Sequence, residues 1–311
     1  MLFCVTAPGT NSNITSSSAA GEPFEHSRAK AEDTIQSETD VVVPQPTSLV
    51  EGSEMSLSVQ VAVDRIVNAR SANAMLESLF ADSDCSIEYA YTVQDAVRDA
   101  LVQRGQHPIG WKLAATGPAG QALFGITEPI FGFLMPHTYR DGDTISSATF
   151  ANLHVEAEIA FRLRSGLAGP GVTPAAARDA IECVMPALEL PDLCFTGSPN
   201  VFDAIANGAL AKAIVLGPKT AFSDDVDLKC EEVSLKQNSK TISTNRGSEL
   251  MGDPLKAIAW LANQLSARGH KLIAGNVIMS GGISRLIKPE VGDSVTAQFS
   301  QLGSVTMKVD A

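Results

Sequence analysis

One ten-residue run limits what this 311-residue chain can build. Residues 154–163 read His-Val-Glu-Ala-Glu-Ile-Ala-Phe-Arg-Leu, and Val155, Ala157, Ile159, Phe161 and Leu163 are all apolar. A period of two belongs to a strand, because successive side chains point to opposite faces of a sheet. The chain therefore contains a sheet with one face on a core. The opposite face of this strand sets Glu156 and Glu158 side by side.

The surroundings of this strand mix helices with short strands. From Met55 the apolar positions Val59, Val63, Ile66, Val67, Met75, Leu76 and Leu79 fall near helical spacing. Thr92-Val93-Gln94-Asp95 resembles a capping box and predicts a second helix through Ala96, Val97 and Leu101 to Gly105. Thr173-Pro174 opens a third helix, which the pattern carries through Ala176, Ala180, Ile181 and Val184. Asp253-Pro254 opens a fourth, ending at Gly269. Three β-like runs follow, Asn276–Ser280, Ser294–Phe299 and Ser304–Val309, separated by Gly-rich turns. Strands and helices do not alternate in a βαβ rhythm, so the fold class expected is α+β with a mixed, β-rich core. No G-x-G-x-x-G follows a strand and no phosphate loop is present, so nothing supports a nucleotide site.

Charge and composition narrow the function classes. Residues 1–54 are rich in Ser, Thr, Pro and Ala and hold eight acidic residues against two basic ones. They are read as a disordered acidic tail. Residues 55–107 read as an N-terminal helical segment, and 108–311 as the main domain. The formal charge of the whole chain is −12. That disfavours a nucleic-acid partner and adsorption to an anionic membrane, and no apolar run is long enough to span a bilayer. The five cysteines are scattered, with no C-x-x-C pair. Free thiols in a reducing, cytoplasmic setting are the expectation.

Four residues stand out chemically. Glu156 and Glu158, a strand step apart, form either a solvated face or one side of a hard-cation site; oxygen ligands suit magnesium, manganese or calcium. Glu189 lies in the apolar run Pro186-Ala187-Leu188-Glu189-Leu190-Pro191-Asp192, where a charge needs a partner, a metal or an exposed turn. Lys112, in Gly110-Trp111-Lys112-Leu113, is either a snorkelling surface lysine or a cation set against an anionic substrate. None of the five histidines has metal-ligand spacing. His154 shares the face of the glutamates and reads mainly as a polar strand end. Cys183 and Cys194 read as core.

These motifs, in this order, resemble a known family. Gly110-Trp111-Lys112, Glu156-Ala157-Glu158-Ile159-Ala160-Phe161, Leu188-Glu189-Leu190-Pro191-Asp192, Val215-Leu216-Gly217, Gly252-Asp253-Pro254-Leu255, Ser280-Gly281-Gly282 and Gly292-Asp293 are similar to the 2-keto-4-pentenoate hydratase / 2-oxo-3-hexenedioate decarboxylase family of the fumarylacetoacetate hydrolase superfamily. The resemblance covers roughly residues 55–311. It implies a β-rich catalytic domain over 108–311. It also implies a magnesium or manganese ion held by Glu156, Glu158 and Glu189, a functional lysine at Lys112, and a homo-oligomer acting on a small 2-oxo or 2-hydroxydienoic acid. The activity it implies is hydration of a 2-hydroxy-2,4-dienoate to a 4-hydroxy-2-oxo acid. Decarboxylation of a 2-oxo-3-hexenedioate is the alternative, and a non-catalytic binding protein on the same fold is a second one. One departure is Asn207, in Ala206-Asn207-Gly208, where relatives often carry Asp.

Overall fold

In the computed structural model, which describes residues 57–81, 85–197 and 200–311, the half-apolar strand lies in the middle of a large sheet. The tail read over 1–54 lies outside the described residues. Six α-helices are present among the described residues: α1 (Val59–Ala72), α2 (Ile87–Gln103), α3 (Pro118–Phe124), α4 (Pro174–Ala180), α5 (Val201–Ala206) and α6 (Pro254–Ala267). The strands are β1 (Gly110–Ala114), β2 (Ile130–Leu134), β3 (Thr138–Arg140), β4 (Thr144–Ser146), β5 (Glu156–Leu163), β6 (Ile181–Pro191), β7 (Ala211–Leu216), β8 (Thr220–Ala221), β9 (Glu232–Gln237), β10 (Lys240–Arg246), β11 (Val277–Met279), β12 (Ser294–Phe299) and β13 (Gly303–Asp310). This is the α+β class expected from the sequence.

Three helix boundaries differ from the sequence reading, each for a local reason. α1 ends at Ala72, because Asn73 turns into the left-handed region and its N–H caps Ala69. Leu76 is instead drawn into a β-bridge with Phe195. α2 begins at Ile87, not Thr92: Ser86 accepts from Tyr89 N as the cap, and the Thr92 hydroxyl donates back to the Glu88 carbonyl at 3.0 Å inside the helix. α4 stops at Ala180, since Ile181 adopts extended backbone and opens β6. Ile181 and Val184 are thus strand residues, in keeping with their β-branched side chains.

The large sheet runs β2-β1-β11-β5-β6-β7-β3, with β8 beside β6, and a second sheet runs β10-β9-β12-β13-β4. The large sheet curls. β2 approaches β7, and a side chain at Gly132 on β2 would overlap the backbone of Gly208, so only glycine lets the roll close there. The outer face of β5 (Ala157, Ile159, Phe161, Leu163) joins the main core with the helices and the second sheet. The inner face is packed by a smaller apolar cluster that includes Leu134, Ala160, Met185, Ile214 and Met279. The two carboxylates of β5 share that inner face, at the end of the roll where β5 begins.

One buried carboxylate ties the N-terminal helices to this frame. Asp203 on α5 is fully buried; it accepts from the Ser78 hydroxyl at 2.5 Å and from Leu79 N at 2.9 Å. Burial pushes its carboxyl up from the ordinary value, while the Ser78 and Leu79 bonds pull it back. Asp203→Ala leaves both donors unpaired and is expected to cost about 2–4 kcal/mol, read as a fall in Tm on the order of 5–10 °C. A raised folded-state pKa means that ionisation costs the fold stability. The gap between wild type and variant therefore widens as pH drops from neutral through the raised value. It is complete below the ordinary 3.8. An unchanged melting curve would show that the bonds carry no net stability.

Candidate active site

Strand register brings the four singled-out residues together. Glu156 on β5 is directly opposite Glu189 on β6, and Glu158 is two pairs further along, opposite Ala187. Lys112 on β1 is opposite Met279 on β11, which in turn faces Ala160 on β5. All four side chains share the inner face of the roll. The three carboxylates each offer an oxygen within 4.8 Å of the others. The Lys112 amine donates to Oε2 of Glu189 at 2.5 Å and lies 3.9 Å from Oε1 of Glu156. Glu158 and Glu189 are completely buried and Lys112 nearly so, while Glu156 keeps 17% of its side-chain surface exposed. Solvent thus reaches the group past Glu156.

The short strand β11 and the loop behind it hold the carboxylates in place. Ser280 Oγ accepts from Ile159 N at 3.0 Å, and the N–H of Gly281 donates to Oε2 of Glu158 at 2.9 Å. Gly282 faces Glu156 so closely that a side chain there would overlap its carboxylate. The sequence reading had Ser280-Gly281-Gly282 only as a turn and a family feature. The close approach of Gly281 and Gly282 to the glutamates was missed. The available signal was the glycine doublet after an apolar run, which marks a close approach of backbone.

The electrostatics of the cluster are strained without a cation. Burial raises the carboxyl of Glu156 to about 8; Lys112 opposes this and Glu189 adds to it. Burial and then Glu189 push Glu158 well above the ordinary range, with Lys112 pulling against them. Burial works against the charge on Lys112, yet Glu189, Glu156 and Glu158 together outweigh it and raise the amine's pKa. Three carboxylates face one ammonium. Oε1 of Glu158 and Oε1 of Glu189 are buried without a hydrogen-bond partner. Orphaned buried oxygens of this kind are costly, and an oxygen-only donor set with surplus negative charge fits a hard divalent cation.

Gly282 offers a specific check. The far end of Glu156 is the part that must move if a methyl group is added, so Gly282→Ala spares the fold but displaces one of the three oxygen donors. Calorimetric titration with Mn²⁺ is expected to show affinity reduced about tenfold or more, with far-ultraviolet circular dichroism unchanged. Undiminished affinity would mean that Glu156 is not a ligand.

Other sequence candidates fall elsewhere. His154 is held by the carbonyl of Asn152 at 3.0 Å and is not among the groups touching the carboxylates. Asn207 is buried at the end of α5; its Oδ1 accepts from Arg70 at 2.8 Å and its Nδ2 donates to Cys194 Sγ at 3.2 Å. The amide thus serves Arg70 rather than the acidic trio. Cys183 and Cys194 are buried, with thiol pKa values raised by burial.

Known proteins share this architecture. The family described as "Fumarylacetoacetate (FAA) hydrolase C-terminal" matches residues 121–310. A 4-oxalocrotonate decarboxylase of Pseudomonas putida is 31% identical over 221 residues, 70% of this chain and 84% of that protein. A 2-keto-4-pentenoate hydratase of Burkholderia vietnamiensis is 31% identical over 218 residues, 70% of this chain and 83% of that protein. The structure of 4-oxalocrotonate decarboxylase from Pseudomonas putida G7, complexed with magnesium and adipate, superposes with a TM-score of 0.78 at 29% identity, covering 81% of this chain and 97% of that one. The chain belongs to the fumarylacetoacetate hydrolase family, in the branch that contains the 2-keto-4-pentenoate hydratases and 4-oxalocrotonate decarboxylases.

Proposed function

We propose that this chain is a divalent-metal-dependent hydratase that adds water to a 2-hydroxy-2,4-dienoate and yields a 4-hydroxy-2-oxo acid. The observation that carries the reading is the buried trio Glu156, Glu158 and Glu189 with Lys112 beside it, at the solvent-reached end of the roll. Glu156, Glu158 and Glu189 would hold magnesium or manganese, which would supply Lewis-acid stabilisation of the negative charge that develops on the substrate. Glu158 is kept pointing inward by the N–H of Gly281, and Glu189 by Lys112. Lys112 offsets part of the negative charge that three carboxylates and an anionic substrate bring to one place. Its ammonium is a hydrogen-bond donor suited to fix the substrate carboxylate, or to pass a proton at Nζ, as charge develops on the 2-oxygen. The apolar inner cluster of Leu134, Ala160, Met185 and Met279 fills the roll below the trio, so these side chains exclude water from that end.

A second reading keeps the same residues and changes the outcome to decarboxylation of a 2-oxo-3-hexenedioate. It is favoured by the extent of the match to the decarboxylase structure, 97% of that chain. Both reactions place negative charge on the same substrate oxygen, so the trio and Lys112 serve either one. The reading also expects a homo-oligomer in a reducing, cytoplasmic compartment, to be checked by light scattering and localisation; Cys85, Cys183, Cys194 and Cys230 are free thiols, and no helix among the described residues is long and apolar enough to cross a membrane.

The test is an ultraviolet assay of purified protein with Mg²⁺ or Mn²⁺ on 2-hydroxypenta-2,4-dienoate and 2-oxo-3-hexenedioate in parallel, with EDTA controls. Metal-dependent loss of the dienoate without release of CO₂ is the expected result. CO₂ from the diacid would establish the second reading. Turnover that survives EDTA would remove the metal from both.

A further inference from the structure

A second site lies away from the acidic trio. A cavity of about 310 Å³ opens between the end of α1, β3 and β7, with Arg70, His137, Tyr139 and Lys212 on its wall and Leu101 and Phe150 among its apolar lining. That volume is at the lower end of small-molecule pockets. Among the described residues no Asp or Glu lines it, although the chain as a whole carries −12.

The cations on this wall are short of counter-charge. The Arg70 guanidinium is bonded to the side chain and carbonyl of Asn207 and to the carbonyl of Ala211, all neutral acceptors. Among the described residues it makes no hydrogen bond through Nε. Lys212, with 12% of its side chain exposed, donates to the Arg70 carbonyl and to Asn73 Oδ1. The nearest carboxylate, Asp192, is 3.9 Å from the Lys212 amine, and its two oxygens already accept from Ala151 N and Asn152 N. Burial and mutual repulsion lower the pKa of Lys212; burial lowers that of Arg70, and the pair with burial lowers that of His137. Two sheltered cations with one shared, occupied carboxylate form an incomplete charge set, costly unless an anion completes it. Tyr139 also lines the cavity, and the apolar lining accommodates a short carbon chain rather than a bare ion.

We propose that this cavity binds a small organic carboxylate, at a site separate from Glu156, Glu158, Glu189 and Lys112. The probe is succinate, titrated calorimetrically into the full-length protein in EDTA, where the negative trio draws no anion, with inorganic phosphate in a parallel cell. Saturable 1:1 binding of succinate is expected, with phosphate weaker. Asn207→Asp supplies Arg70 with the missing carboxylate at nearly constant volume, and is expected to weaken succinate about tenfold. His137→Leu, an exposed change on the rim, weakens it by a smaller factor, and Lys112→Met leaves it unchanged. Circular dichroism confirms the fold of each variant. The proposal is overturned if succinate does not saturate, if Asn207→Asp and His137→Leu bind as wild type does, if Lys112→Met abolishes binding, or if phosphate binds and succinate does not.

Discussion

Replacing Glu158 by glutamine is expected to lower turnover on the order of 10²–10³-fold and to abolish the metal-dependent gain in Tm. Glu158 is completely buried near the start of the most strongly specified strand, and one of its oxygens is already fixed by Gly281. The amide keeps the volume but removes the charge, so the packing of β5 against β6 is spared. The magnitude follows from losing one preorganised electrostatic partner in a largely buried site. The stability effect runs the other way. A surplus buried carboxylate costs the metal-free fold, so Glu158→Gln melts at or above the wild-type temperature in EDTA. Wild type rises on adding Mg²⁺ and the variant does not. Two readings, one rising and one falling, separate a lost ligand from a damaged protein. A variant that retains both turnover and its Mg²⁺-dependent shift would remove Glu158 from the site.

Lys112→Met is expected to give the mirror image. The lysine is the only ammonium within reach of the three carboxylates among the described residues, and its bond to Glu189 is fully sheltered. Breaking a buried ion pair from one side costs about 3–5 kcal/mol, so Tm in EDTA falls on the order of 10 °C. Adding Mg²⁺ then restores more stability than it gives wild type, because a cation replaces the missing charge and no ammonium repels it. Metal affinity is therefore equal or tighter in the variant. On the proposed role of Lys112 in fixing the substrate carboxylate, turnover nonetheless falls about 10²-fold or more. Full turnover in Lys112→Met would leave the lysine a structural counter-ion only.

How much of this was legible in the residues depends on the range of the cause. The alternation at 154–163 specifies a strand and one buried face by itself, and β5 follows it from Glu156. The caps Thr173-Pro174 and Asp253-Pro254 are local chemistry, and α4 and α6 start there. Ile181 and Val184 were misread because a helical spacing of apolar residues also fits a strand buried on both faces; only the pairing with β5 and β7 decides it. Glu189 stood out as a charge in an apolar run, but its place opposite Glu156 exists only in the register. The resemblance carried Lys112, Glu156, Glu158 and Glu189 as a set. The charge imbalance around Arg70 had no sequence signature, since Arg70, Asn207 and Lys212 are joined by packing across more than a hundred residues.

The three-residue strand β11 acts as a keystone. It sits between β1 and β5, pairing Lys112 through Met279 with Ala160, so residue 112 meets residues 156, 158 and 189 only after residues 277–282 have been inserted. The Gly281 N–H that fixes Glu158 comes from this same segment, so the native cluster is complete only with β11 in place. Whatever binds the completed cluster binds the closed sheet in preference to any state with β11 detached. Occupancy of the site and closure of the sheet are then one equilibrium, and amide exchange at Ile278 should slow when a divalent ion is added while exchange in the β9–β10 hairpin of the second sheet does not.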